Sequence, residues 1–312
     1  MEYAAGVDFG GSSAKIGLVG RDGSVLARET VRIDSSAGFE EVLRPVVLRL
    51  KARVAERPGS DRLVAAGIDM PGFIERREGT VVSGSENIPC LQGKSPQAYL
   101  GNALGVPAFS ENDATSAAAG ELLFGAGRRF SSFLLITLGT AIGGGLVLGG
   151  RVYRGSRGFA GEVGHVCVVA DGVACNCGSR GCFEQYASGT AIVRTYREKL
   201  RKRGRDAPEA SAKTVAEKAR EGDPQARDTM DEAARYIAQA VGGIFNVLDL
   251  EACLIGGGVS EAGDVLLEPV REHFPDYCWP EIAKGVRVLR AELGNDAGIM
   301  GAAAQALERL ES

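Results

Sequence analysis

The chain has no excess of positive charge: 36 Lys and Arg stand against 40 Asp and Glu, a formal net charge of −4. Without a broad basic field to meet a phosphate backbone, nucleic acid is not an expected partner. A basic N-terminal region with an apolar core is also missing, since MEYAAGVDFGG enters strand-forming residues almost at once. No export signal is expected, and the cytoplasm is the expected location. The uncharged run from Phe133 to Gly150 is broken by six glycines and two threonines. It reads as strand, loop and strand, and no membrane association is expected. Neither GxGxxG nor GxxxxGK[ST] occurs, which sets aside the dinucleotide fingerprint and the P-loop. Low-complexity segments and evident linkers are absent. The cysteines are seven, an odd number unevenly spread, which argues against a disulfide framework and for metal binding where they cluster.

What the chain does have is length and glycine. Its 312 residues, 45% hydrophobic and 24% charged, are those of a soluble globular protein with room for about two domains. The 44 glycines are about twice the usual share, so many turns or close backbone approaches to a ligand are expected. Tyr3 to Phe9, Ile16 to Val19 and Val25 to Val31 read as a three-stranded meander, followed by a helix over Phe39 to Ala55 and a strand over Leu63 to Ile68. A loop-rich stretch runs to Pro96. Then come a helix to Leu104, a short strand over Val106 to Phe109 and an Ala-rich helix from Ala114. Near Ser132 the plan restarts: GLVGRDGSVL from Gly17 aligns with GLVLGGRVYR from Gly145, a weak internal repeat. Residues 189–248 are mostly helical, with REKLRKRGR as a solvated helix end. Strands follow at Cys253 and over Val286 to Leu289, and a last helix over Ala297 to Leu310.

Three glycine loops follow apolar strands, DFGGS at Asp8, LGTAIGGG at Leu138 and IGGGV at Ile255. Each offers backbone amides to an anion, and three after strands in one chain exceed what ordinary turns require. Asp8 beside such a loop would repel phosphates unless a magnesium ion lay between, though a turn-forming Asp is the plainer reading. Lys15 offers either charge compensation or a solvated strand position. In the CxCxxxxC segment, Cys175, Cys177 and Cys182 lie close after His165. Three thiolates and one imidazole make a closed, structural zinc site. Cys167, two residues after His165, is expected in the core rather than as a fifth ligand. Cys90, Cys253 and Cys278 carry no expectation beyond packing, and His273 is expected on a helix surface.

DFGGSSAK, ENDATSAAAGE, LGTAIGGG, GFAGEVGH, CNCGSRGCFE and IGGGVSEAG together resemble the ROK family of sugar kinases and sugar-responsive repressors, in order and spacing over nearly the whole chain. The resemblance implies an α/β, duplicated actin-like ATPase fold of the ribonuclease H-like kind, two lobes around a cleft holding sugar and nucleotide. The N-terminal lobe is expected over residues 1–113, joined by the C-terminal helix 297–312, and the C-terminal lobe with the zinc segment over 114–296. The implied reaction is ATP-dependent phosphorylation of a hexose, glucose at its 6-position first. Alternatives are an N-acetylhexosamine kinase and a sugar-binding regulator without kinase activity. Asp113 becomes the expected general base, the bland reading of it being a helix N-cap. The sugar set is Gly72, Asn87, Asn112, Asp113, Glu162, His165 and Glu184. The nucleotide set, with Mg, is Asp8, Gly10, Gly11, Ser12, Lys15, Gly139, Thr140, Gly143, Gly256, Gly257 and Gly258. A homodimer is implied as well. Ser12 and Ala141 stand where the family usually has Thr and Gly, and Cys90 where an aromatic is common. A repressor would need a helix-turn-helix before the first lobe, and with the first strand starting by Tyr3 none is expected. A polyphosphate donor finds no extra basic channel to favour it.

Overall fold

The computed structural model describes residues 1–311. Its strands are β1 (Glu2–Phe9), β2 (Ser13–Gly20), β3 (Val25–Arg32), β4 (Arg62–Met70), β5 (Phe73–Ile74) and β6 (Val81–Ser83). They continue with β7 (Ala108–Asn112), β8 (Phe133–Leu138), β9 (Ile142–Leu148), β10 (Arg151–Tyr153), β11 (Ala252–Gly256) and β12 (Arg287–Arg290). One sheet runs β3-β2-β1-β4-β7 and a second β10-β9-β8-β11-β12. In the first, β1, β2 and β3 form an antiparallel meander, and β4 and β7 add in parallel. The second repeats the plan, with β9 and β10 antiparallel and β8, β11 and β12 parallel. The repeat read from the sequence therefore falls on equivalent hairpins, β2–β3 and β9–β10. The stretch before Pro96 contains the small β5–β6 hairpin, too short and mixed in composition to carry a strand pattern.

Contacts divide the chain into two compact units. Unit 1 comprises Met1–Arg129, Gly145–Ala160 and the segment from Leu293 onward, and unit 2 comprises Phe130–Gly144 and Gly161–Glu292. The division does not fall at residue 113, because the helix Asp113–Phe124 packs on the C-terminal helix Ala297–Leu310. The two meet glycine to glycine: a Cβ on Gly120 would lie 3.0 Å from the Cα of Gly301.

In unit 1, alternation sorts β1 between two faces. Tyr3, Ala5, Val7 and Phe9 join Ile16, Leu18, Ile68 and the buried side of the helix Phe39–Ala55 (Val42, Leu43, Val46, Val47, Leu50). Ala4 on the other face packs with Ile299, Met300, Ala303 and Leu307 of the C-terminal helix. That helix approaches the sheet backbone directly, since a Cβ on Gly6 or Gly67 would overlap the carbonyl of Ile299 or Ala302. In unit 2 the 25-residue helix Pro224–Leu248 is capped by Asp223, whose carboxylate accepts from the Ala226 amide at 2.8 Å, and ends on Asp249 in the left-handed region. Ala234, Ile237, Ala238, Val241 and Phe245 give it a buried stripe at helical spacing.

Candidate active site

In unit 1, β7 runs past the apolar Val106 to Phe109 segment and through Ser110, Glu111 and Asn112, where a strand pattern had no reason to continue. The polar residues stay in the sheet because their groups are matched: Gln97 Oε1 accepts the Ser110 amide at 3.0 Å, and Glu111 pairs with Arg154 at 2.5 Å. Asn112 then caps the helix Asp113–Phe124, its Oδ1 accepting from the amides of Ala114 (3.0 Å) and Thr115 (3.1 Å). Its Nδ2 donates to Gly72 O at 3.3 Å. Capping thus belongs to Asn112, and Asp113, exposed at the first helical position, accepts one amide bond from Ala114 at 2.8 Å. Although solvent reaches it, desolvation by the surrounding protein raises the pKa of its carboxyl, the Ala114 bond pulls it back, and the charge of Asp8 adds to the rise.

The loop after β1 holds Gly10, Gly11 and Ser12, with the Gly10 amide donating to Ser13 O at 3.0 Å. Asn87 stands over it, its Cβ 3.5 Å from where a Cβ on Gly11 would be. Gly72, at φ +112°, approaches the backbone of Ser83 and Gly84, which no side chain would allow. Asp8 Oδ2 pairs with Lys15 Nζ at 3.3 Å, and Lys15 also donates to Asn295 O at 3.4 Å. Asp69, opposite Asp8 in the register of β4 on β1, is fully buried with neither carboxyl oxygen hydrogen-bonded. Burial first, then the charges of Asp8 and Asp113, hold its pKa well above the carboxylate range. Sequence reading missed it, because an Asp ending an apolar strand before Pro-Gly reads as a turn residue.

Unit 2 carries the other two glycine loops. Gly139 turns back through its amide to Ala141 O (2.9 Å) while its carbonyl accepts from Gly189 (2.8 Å), and Thr140 O accepts from Thr190 Oγ1 at 2.9 Å. Gly143 opens β9. After β11, Gly256 leads to Gly257 at φ +80°, where a Cβ would lie 2.5 Å from Leu138 O, and then to Gly258. Gly139, Thr140 and Gly258 line a cavity of about 880 Å³ completed by Thr190, Arg194, Lys213 and Val259 among others. The basic REKLRKRGR run is the exposed end of the helix Gly189–Arg201, as expected, and also contributes Arg197, Glu198 and Arg201 to this wall. Arg197 Nε donates to Ala207 O at 3.1 Å and Nη2 to Pro208 O, ordering the following loop. Only the tertiary packing reveals that role.

His165, Cys175, Cys177 and Cys182 bring four donor atoms within 4.8 Å of one another. His165 Nδ1 lies 3.6 Å from Cys175 Sγ, and Cys177 Sγ 3.6 Å from Cys182 Sγ. That spacing and donor set suit a tetrahedral zinc ion. Nε2 of His165 points the other way, 3.9 Å from Glu162 Oε2. Glu184, at the start of the short helix Glu184–Ala187, is buried, with Oε2 accepting the Ile142 amide at 3.2 Å and Oε1 4.0 Å from Cys175 Sγ. Cys167 corrects an expectation: it is exposed rather than in the core, its place fixed by an isolated bridge to Cys182. Cys253 and Cys278 are buried, and His273 ends a helix, 2.9 Å from Asp231.

The chain is 38% identical to a glucokinase from Thermotoga maritima over 98% of its length and 97% of that protein. It is 34% identical to a glucokinase from Streptomyces coelicolor over 99% and 98%. The crystal structure of a ROK family glucokinase from Streptomyces griseus in complex with glucose and AMPPNP superposes with a TM-score of 0.81 at 34% identity, covering 98% of this chain and 99% of that one. The fold is the duplicated actin-like ATPase fold of that group. A profile of the ROK family matches residues 4–309, and the chain belongs to the ROK family.

Proposed function

We infer that this protein is an ATP-dependent hexokinase of the glucokinase type, with glucose as substrate. The inference is supported by two full-length glucokinase relatives and by a fold shared with a glucokinase bound to glucose and an ATP analogue. The 6-hydroxyl is proposed as the acceptor. Asp113 is proposed as the general base, and the observation that carries this is the division of labour at the helix start. Asn112 supplies the cap, leaving beside it a carboxyl whose raised pKa brings it nearer the working pH of a proton acceptor. Gly72, Asn87 and Asn112 in unit 1, and Glu162, His165 and Glu184 in unit 2, are proposed to recognise sugar hydroxyls.

The phosphates are assigned to the amides of Gly10, Gly11 and Ser12 in unit 1 and to the loops at 139–143 and 256–258 in unit 2, where the cavity is of nucleotide size. Magnesium, when bound, would screen the phosphate charge, and Asp8 beside the first loop is the carboxylate suited to hold it, directly or through water. Zinc is proposed at His165, Cys175, Cys177 and Cys182 in a structural role. We also propose a cytoplasmic homodimer that engages neither membrane nor nucleic acid. Seven free thiols fit a reducing compartment, and an apolar groove on unit 2, including Val247 at 81% exposure, offers a surface for a second copy. Coupled ADP-release assays over a panel of hexoses and N-acetylhexosamines test the reading, with glucose expected to give the highest kcat/KM. No turnover of any sugar would overturn it.

A further inference from the structure

The residues leading into Asp113 are held by a buried ionic cluster that the chemistry itself does not use. Arg154, following β10, and Glu111, at the end of β7, are 7% and 6% exposed. The guanidinium donates through Nε to Glu111 Oε2 at 2.5 Å, through Nη2 to Glu308 Oε2 at 2.9 Å on the C-terminal helix, and through Nη1 to Val152 O at 3.4 Å. The second oxygen of Glu111, Oε1, accepts the amide of Asn112 at 3.2 Å. Arg309 grips the same strand from the C-terminal helix, donating to Ser110 O at 3.3 Å and Arg76 O at 2.8 Å while lying 4.6 Å from the centroid of the Phe109 ring. All of these groups lie within unit 1.

Stability alone is a poor reason for this arrangement, because apolar residues of similar volume often serve as well as a buried ion pair. A guanidinium is a rigid planar fork, so it fixes direction as well as charge. Glu111 accepts from the fork on one oxygen and from the Asn112 amide on the other, a route of only a few bonds to the neighbouring Asp113. We propose that Arg154 is a positioning residue, setting the place of the Asp113 carboxylate through Glu111 and the Asn112 peptide while Glu308 holds the guanidinium from the C-terminal helix. The proposal rests on Asp113 being the base.

The test compares Arg154→Lys, Arg154→Met and Glu308→Gln with Asp113→Asn in the full-length, zinc-loaded protein. Steady-state kinetics for glucose and ATP are read beside calorimetric glucose binding. A misplacement of about 1 Å at the reacting group can lower rate about 10²-fold. Arg154→Met is therefore expected to lose kcat on that scale, and Arg154→Lys, which keeps the charge but not the fork, roughly tenfold. KM for both substrates and the glucose stoichiometry should stay near parental values. If Arg154→Met leaves Glu111 uncompensated and does not fold, Arg154→Lys and Glu308→Gln decide. A folded Arg154→Lys protein with parental kcat overturns the proposal, as does a fall in kcat matched by an equal fall in glucose-binding stoichiometry, which marks lost fold instead of lost position. Near-parental turnover by Asp113→Asn removes the base assignment and the clamp with it. Loss in Asp113→Asn alongside intact Arg154 variants removes the clamp alone.

Discussion

At the scale of single residues, two aspartates at the ends of the paired strands β4 and β7 carry opposite expectations. Asp113→Asn fills the same space and can keep the Ala114 amide bond, but an amide does not take a proton. Turnover is expected to fall by about 10² to 10⁴ with glucose binding retained, as stopped-time kinetics and calorimetry on the folded variant would check. Because the folded pKa of Asp113 lies above its ordinary 3.8, the base form is lost as pH falls through that raised value. The acid limb of kcat/KM should therefore lie above the usual aspartate range and vanish from the profile of Asp113→Asn.

Asp69 acts on stability instead. Its folded pKa is raised, so as pH climbs from the ordinary 3.8 the unfolded chain ionises while the buried carboxyl resists, and stability falls until the folded value is reached. Asp69→Asn removes that loss, worth about 1.4 kcal/mol for each pKa unit of displacement. Thermal unfolding should show a gain at pH 7 and little at pH 4. Equal effects at both pH values would mean that the carboxyl is not held neutral.

At the scale of elements, the His165–Cys182 segment joins Glu162 and Glu184, the carboxylates proposed for the sugar, to the loop at Gly139 proposed for phosphate. Cys177→Ser removes one of the proposed zinc ligands, and zinc content measured by metal analysis is expected to fall from near one per chain. Release of the segment should raise KM for glucose on the order of tenfold, as disturbed surroundings of a metal site commonly do. Glu184 accepts the Ile142 amide just beyond the Gly139 loop, so a smaller rise in KM for ATP is expected as well. Wild-type protein that binds glucose normally after chelation would remove the structural role. In unit 1 the C-terminal helix lies so close to β4 that Gly67→Ala would set a methyl against the Ala302 carbonyl. Backbone does not yield as a side-chain end can, so a destabilisation of about 1–3 kcal/mol or more is expected in chemical denaturation.

At the scale of the whole molecule, much was legible because the local signals agree. The glycine loops, the CxCxxxxC segment and the repeated strand–turn–strand pattern each follow from short-range chemistry. Backbone conformation at Gly257, thiolate spacing and alternation over a hairpin need no distant partner to be recognised. The extent of β7 was not legible, since Ser110 and Glu111 remain in a strand only because Gln97 and Arg154 meet them from far along the chain. The basic run at 197–205 ends a helix with most of its charges exposed, as read, but its share in a cavity wall was not legible for the same reason. Its charges are neighbours in sequence, but its function as a cavity wall depends on the loops that fold against it.

The sequence by itself determined the strand and helix inventory of most of the chain, the duplicated plan, the His–Cys cluster and the glycine loops, because each is written in patterns a few residues long. Only the tertiary structure decided that Asn112 and not Asp113 caps the helix, that Asp69 is fully buried, and that Glu111 and Glu308 converge on Arg154. Those outcomes depend on which groups from distant segments arrive to desolvate, pair or bond a side chain, and hydrogen bonds and burial of that kind exist only once the chain has packed.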